Sequence, residues 1–131
     1  MAGVIVDSSA IVAIFGLEQD HEALIDKALA AARVFVAGPT VLESAMVISS
    51  RLDTDGFEET FRILGELRAD VIPFDIELAE IAAQAFVKFG KGRHPASLNF
   101  GDCMVYALAK KENLPILCTG DEFSRTHIAV A

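Results

Sequence analysis

At 131 residues the chain suits one compact domain, spanning 1–131, and leaves no room for a second core. Hydrophobic residues make up 53% and charged residues 23%, a balance that excludes a disordered segment. The 19 Asp and Glu outnumber the 11 Lys and Arg, and the formal charge of −8 excludes a nucleic-acid binder that relies on bulk positive charge, though not an enzyme whose acids hold cations.

Val4-Ile5-Val6 reads as a short buried strand, and Asp7-Ser8-Ser9 as the cap of the helix that follows. The segment AIVAIFG is apolar on every side, so that helix is expected to be buried by the core or by another chain; together with the next helix it is the expected partner surface. EQDHEALIDKALAAA is amphipathic, with Leu24, Ile25, Ala28 and Leu29 at helical spacing. VFVA from Val34 is a second strand, and Gly38-Pro39-Thr40 opens the helix TVLESAMVISSRL. Asp53-Thr54-Asp55-Gly56 is a turn, followed by a helix whose core stripe is Phe57, Phe61, Leu64 and Leu67. VIPF is a third strand, IELAEIAAQAFVKF a helix carrying Phe86 and Phe89 inward, and Gly90 to Pro95 a basic loop. Asn99 caps a helix containing CMVYALAKKE, PILCTG is the fourth strand, DEFSRT a helical turn, and IAVA a last strand. Short apolar strands alternating with helices predict an α/β fold with a parallel sheet covered on both faces, with ligands gathering outside the carboxyl ends of the strands.

Four acids fall at such ends or in first helical turns: Asp7, Glu43, Asp102 and Asp121. Capping alone explains each of them singly, because acids complement the free N–H groups of a first turn. Thr40-x-x-Glu43 and Thr119-x-x-Glu122 are capping-box patterns, and Asn99 is placed to cap the helix bearing Asp102. Two details point further. Asp102 shares a helix face with Val105, Tyr106 and Ala109, and Glu43 with Met46, Val47 and Ser50, so both point toward apolar neighbours. No Lys or Arg stands beside them to offset the several kcal/mol that a buried carboxylate costs. Carboxylates converging without cationic side chains repel one another, and a divalent cation resolves both problems; oxygen-only ligands suit Mg²⁺ or Mn²⁺.

In order along the chain, VIVDSSA, TVLES, HPASLNFGDCMVYALA and TGDEFSRT resemble the VapC-type PIN-domain toxins. That resemblance implies a PIN-like three-layer α/β/α fold around a short-stranded parallel sheet. It also implies a Mg²⁺- or Mn²⁺-dependent endoribonuclease acting on tRNA or rRNA, a homodimer, and inhibition by a VapB-type antitoxin. By motif, Asp7, Asp102 and Asp121 correspond to direct metal ligands, and Glu43 to a ligand acting through water or to the group that activates the nucleophilic water. Ser9, Asn99 and Thr119 correspond to polar supports of those carboxylates. After DEFSRT many relatives carry a further Asp where this chain has His127, a position read as dispensable.

Lys88, Lys91, Arg93 and His94 form the one compact basic cluster; Lys91 and Arg93 are the candidate phosphate contacts, against the simpler reading of a solvated loop. Cys103 and Cys118 lie in apolar segments, without zinc-site spacing, and read as reduced thiols. The absence of a basic leader or of a stretch long enough to span a bilayer predicts a cytoplasmic protein. Two other functions compete. A receiver-like signalling domain needs paired acids after the first strand, where Asp7 stands alone before Ser8-Ser9. A non-catalytic PIN-like scaffold binding RNA or protein has no need of the acid quartet.

Overall fold

Val4–Val6 forms strand β1, fully buried, at the centre of a computed structural model that describes residues 2–131. β2 (Val34–Ala37) and β4 (Ile116–Leu117) flank it and β3 (Ala69–Ile72) extends the sheet beyond β2, in the order β3-β2-β1-β4 with every pairing parallel. Ile5 pairs with Phe35 on one side and Ile116 on the other, so the three central strands are in step. Their carboxyl ends therefore emerge along one edge, where Asp7 follows β1, Gly38 follows β2 and Thr119 lies just past β4.

Side chains alternate between the faces, as a strand requires. Ile5, Phe35 and Ile116 pack beneath α5 (Ile76–Phe89) and α6 (Phe100–Glu112), with Leu78, Phe89, Val105 and Leu108. Val4, Val6, Val36 and Leu117 pack on the other face against α1 (Ser8–Phe15), α2 (His21–Ala30), α3 (Gly38–Leu52) and α4 (Phe57–Glu66), through Ile11, Leu24, Ile48 and Ile63. Each fully buried Ile or Leu here contributes roughly 1.5–3 kcal/mol of transfer free energy. The result is the expected three-layer α/β/α arrangement around a short parallel sheet.

Four expectations change. β3 lies two residues earlier than VIPF, because Pro73 has no N–H to give to a ladder. IAVA forms one parallel bridge, Val130 to Ile116, instead of a strand. α1 is covered mostly by the chain's own core, with Ala10, Ile11, Ala13 and Ile14 buried between α2, α3 and α4, so of the expected partner surface on α1 and α2 only Val12, Phe15, Leu17 and Leu29 remain partly or fully exposed. Further apolar surface is exposed elsewhere. Phe57 and Phe61 stack on each other at 5.4 Å in the open, and Phe86 is half-exposed; of the four phenylalanines expected in core stripes only Phe89 is buried. Amphipathic spacing marks an apolar stripe, but whether another element of the same chain covers it is a tertiary matter.

Candidate functional site

Asp7 is the N-cap of α1. Its extended backbone turns the chain out of β1, and its Oδ2 accepts a hydrogen bond from the Ser9 N–H at 3.1 Å. The residue is only 5% exposed. Burial pushes its carboxyl above the ordinary carboxylate range, against the lowering effect of the Ser9 hydrogen bonds, and the negative charge of Glu43 pushes it further. Ser9 also joins two ends of the sheet: its hydroxyl accepts the Thr119 N–H at 3.0 Å, holding the chain leaving β4 against the start of α1.

Asp102 sits in the first turn of α6 in a complete capping box. Asn99 Oδ1 accepts the Asp102 N–H at 2.9 Å, and Asp102 Oδ2 accepts the Asn99 N–H at 3.0 Å. Its carboxyl is nevertheless pushed up to about 6, first by burial and then by the charges of Asp7, Glu122 and Glu43, with only the Asn99 N–H acting the other way. Capping and crowding thus coexist at both aspartates: one carboxylate oxygen serves the helix end while the group as a whole is held among like charges.

Glu43 is not a cap. α3 begins at Gly38 with Ala37 as its N-cap and Pro39 in the first turn, so Thr40 lies inside the helix and the Thr40–Glu43 box is not made. Thr40 Oγ1 is buried and, among the described residues, without a hydrogen-bond partner. Glu43 is half-buried, and its face is less apolar in effect than its spacing promised, because Met46 is 61% exposed and Val47 is 36% exposed. The carboxylate lies instead against the first turn of α6 at Gly101, next to Asp102.

Asp121 stands apart. It is exposed, and its Oδ2 accepts from Arg125 Nη2 at 2.9 Å, while Arg125 Nη1 reaches the Pro95 carbonyl at 3.3 Å. The expectation that no basic side chain stands beside the acids therefore fails here: Arg125, four residues on in the short 3₁₀ turn Phe123–Arg125, is that partner. The neighbouring Glu122 is half-buried and it, not Asp121, is among the charges acting on Asp102 and on Cys118. The Thr119–Glu122 box is also unmade, since Glu122 makes no side-chain cap. The structure thus brings Asp7, Glu43 and Asp102 together, turns Asp121 toward Arg125, and adds Glu122, which the sequence pattern assigned only to capping. The signal for it was its offset of one residue from Asp121 at the exit of a two-residue strand, too short to fix which side chain turns inward.

The donors present are hard oxygens, the set that Mg²⁺ and Mn²⁺ prefer. Among the described residues no three His, Cys, Asp or Glu side chains are close enough, as they stand, to hold a metal ion. The fit rests on the chemistry of the set: buried or half-buried carboxylates with, among the described residues, no cation acting on Asp7 or Asp102, whose repulsion a dication removes. A small dication that keeps several waters also tolerates ligands one water away. Cys118, half-buried beside the cluster, has its thiol pushed up to about 12 by burial and by Asp7, Glu122 and Asp102. That makes it a poor thiolate ligand.

The basic loop closes on itself. Lys91 N–H donates to Leu98 O and Leu98 N–H to Phe89 O, both at 2.9 Å, which holds Gly90–Leu98 as an ordered bulge before α6. Lys91 and Arg93 are exposed there, with the Arg93 guanidinium 5.4 Å from the Phe86 ring centre. His127 is exposed and meets the Phe89 ring edge-on at 5.4 Å, an aromatic packing position. Among the described residues no helix is long and apolar enough to cross a membrane.

Residues 4–128 match the PIN domain family. The chain is 40% identical over 126 residues to "Ribonuclease VapC36" of Mycobacterium tuberculosis, covering 95% of this chain and 91% of the relative. It is 39% identical over 127 residues to "Ribonuclease VapC" of Mycolicibacterium smegmatis, covering 96% and 98%. Among solved structures, VapC20 of Mycobacterium tuberculosis, described as a sarcin-ricin-loop-cleaving toxin, superposes with a TM-score of 0.76 at 15% identity, covering 98% of both chains. A DNA-bound VapBC from Salmonella typhimurium gives 0.71 at 17% identity, covering 100% of this chain and 98% of that one. At those identities the superpositions speak for the fold.

Proposed function

The chain belongs to the PIN-domain family, in its VapC ribonuclease branch, and we propose that it is the endoribonuclease toxin of a toxin–antitoxin pair, hydrolysing phosphodiester bonds of tRNA or rRNA in the cytoplasm with Mg²⁺ or Mn²⁺ at its acidic cleft. The observation that carries this reading is the crowding at the carboxyl edge of the sheet: Asp102 held up at about 6 by burial and by Asp7, Glu122 and Glu43, with no cationic side chain among the described residues acting on it. An uncompensated set of acids at a strand edge is unstable in isolation, and it becomes useful when a dication and a phosphate share the site.

Asp7 and Asp102 are the direct ligands in this reading, each fixed by its cap and each with a carboxylate oxygen beyond the one that serves the cap. Glu43, free of any cap, is placed to accept a proton from an attacking water or to hold a metal-bound one. Asp121, exposed and with Oδ1 free among the described residues while Oδ2 accepts from Arg125, is the third ligand in this reading, its charge partly offset by that guanidinium. Ser9 and Asn99 hold the two aspartates in position, and Thr119 fixes the β4 exit through Ser9. When bound, the cation supplies an activated water and offsets charge on the phosphodiester. Lys91 and Arg93, exposed on the ordered loop before α6, provide positive charge for the flanking phosphates. His127 packs edge-on against Phe89, which supports reading this position as dispensable for the chemistry. Exposed apolar groups are available to a second copy and to a VapB-type antitoxin: the groove lined by Leu42, Val87 and Phe100, and the stacked pair Phe57 and Phe61 on α4.

The test is cleavage of a tRNA and rRNA pool by the antitoxin-free protein. Cleavage stops in chelator, returns with Mg²⁺ or Mn²⁺, and is lost in Asp7→Asn. Cleavage that survives the chelator or the substitution refutes the mechanism.

A further inference from the structure

Gly101 is the second residue of α6, buried, directly before Asp102, and no turn, positive φ or backbone contact requires a glycine there. What stands where its side chain would be is the carboxylate of Glu43. A Cβ built on Gly101 lies 2.5 Å from Glu43 Oε2, 2.9 Å from Oε1 and 3.0 Å from Cδ, so the whole carboxylate occupies the space that any other residue would fill. Glu43 has, among the described residues, no cap, ion pair or hydrogen bond of its own to fix it, because the Thr40–Glu43 box is unmade and α3 begins earlier. Its seat is therefore steric. We propose that Gly101 is a positioning residue: its missing side chain forms the slot that seats the Glu43 carboxylate on the first turn of α6, beside Asp102.

The slot has one physical consequence: it leaves room for the three-bond side chain of Glu43 to rest beside Asp102, room that any larger residue would deny it. It acts on Glu43 without Gly101 touching any substrate. The same distances say what a methyl group does. It meets the far end of a flexible side chain and not backbone, so Gly101→Ala displaces the carboxylate and leaves α6 intact, alanine being the better helix former.

This inference rests on the proposed metal-dependent nuclease reading for its binding and activity arms, and the crystallographic arm stands without it. The experiment compares wild type, Gly101→Ala, Glu43→Ala and the double variant in three measurements. In crystals of the metal-free protein, Gly101→Ala keeps the wild-type backbone and moves the Glu43 carboxylate off α6. In Mn²⁺ titration calorimetry, Gly101→Ala weakens binding tenfold or more, and the double variant binds no more weakly than Glu43→Ala alone. RNA cleavage follows the same non-additive pattern, and Gly101→Ala combined with the shorter Glu43→Asp recovers part of the loss. A Gly101→Ala crystal with Glu43 unmoved, or additive losses in the cycle, overturns the proposal. Wild type that binds Mn²⁺ but leaves RNA intact overturns the nuclease reading instead, with the crystallographic and binding arms still deciding the role of Gly101.

Discussion

Replacing Asp102 by Asn makes the metal-free protein more stable at neutral pH while removing its activity. The amide keeps the oxygen that accepts the Asn99 N–H, so the α6 cap survives, but the charge that burial penalises and that faces Asp7, Glu122 and Glu43 is gone. The carboxyl titrates at about 6 in the folded chain against 3.8 without the fold. That gap corresponds to at most about 3 kcal/mol of lost stability once the group is ionised. Asp102 is half-buried, so solvent screens it, and about 1 kcal/mol is the realistic figure. The sign follows from linkage. Folding raises this pKa, so the folded chain holds a proton that the unfolded chain releases; wild-type stability falls as pH rises from about 4 to about 6 and stays lower above it. Thermal unfolding in chelator from pH 4 to pH 8 therefore gives Asp102→Asn a melting temperature about 4 °C above wild type at pH 7.5, shrinking to nothing near pH 4. Excess Mn²⁺ reverses the order by stabilising wild type alone. A variant less stable than wild type at pH 7.5 in chelator, or an advantage that does not change with pH, refutes the idea that the Asp102 charge, desolvated by burial and facing like charges, costs the metal-free fold stability.

The remaining expectations concern the rest of the molecule. Asp121→Asn retains more RNA cleavage than Asp7→Asn or Asp102→Asn, because its carboxylate faces Arg125; equal loss in single-turnover assays contradicts this. Phe61→Ala changes the stability of the isolated chain by less than about 0.5 kcal/mol, whereas Ile63→Ala, at a fully buried position two residues away, costs about 2–4 kcal/mol in urea unfolding. Comparable costs show that α4 packs the other way round. Neutralising Lys91 and Arg93 raises KM and flattens the salt dependence of cleavage, and an unchanged salt slope removes the loop from substrate binding. The thiols of Cys103 and Cys118, pushed by burial up to about 11 and about 12, react slowly with an aromatic disulfide reagent at pH 8 until the protein unfolds; immediate labelling of the native protein contradicts their burial.

How much of this was legible beforehand varies residue by residue. The capping pattern Asn99-x-x-Asp102 survives because both partners lie within one helical turn, and local geometry decides such bonds. The same kind of pattern misleads at Thr40 and Thr119. There the helix starts earlier or hardly forms, because Gly38-Pro39 already turns the chain and β4 is only two residues long. Period-3.6 spacing found α4 correctly and assigned Phe57 and Phe61 to the wrong environment, since nothing in the spacing says which of two flanks of a stripe a neighbouring helix will cover.

The chain order of strands and helices, the alternation that calls for a parallel sheet and the placing of Asp7 and Asp102 at one edge follow from short-range rules: β-branched runs, turn residues, and acids at helix starts. Those rules act within a few residues, so they are written in the sequence. Which carboxylate turns inward after β4, where the Glu43 side chain rests, and which phenylalanines stay in water depend on groups dozens of residues apart. Arg125 reaching Asp121 and Pro95, and the empty side of Gly101 receiving Glu43 from another helix, are contacts that exist only once the layers have packed.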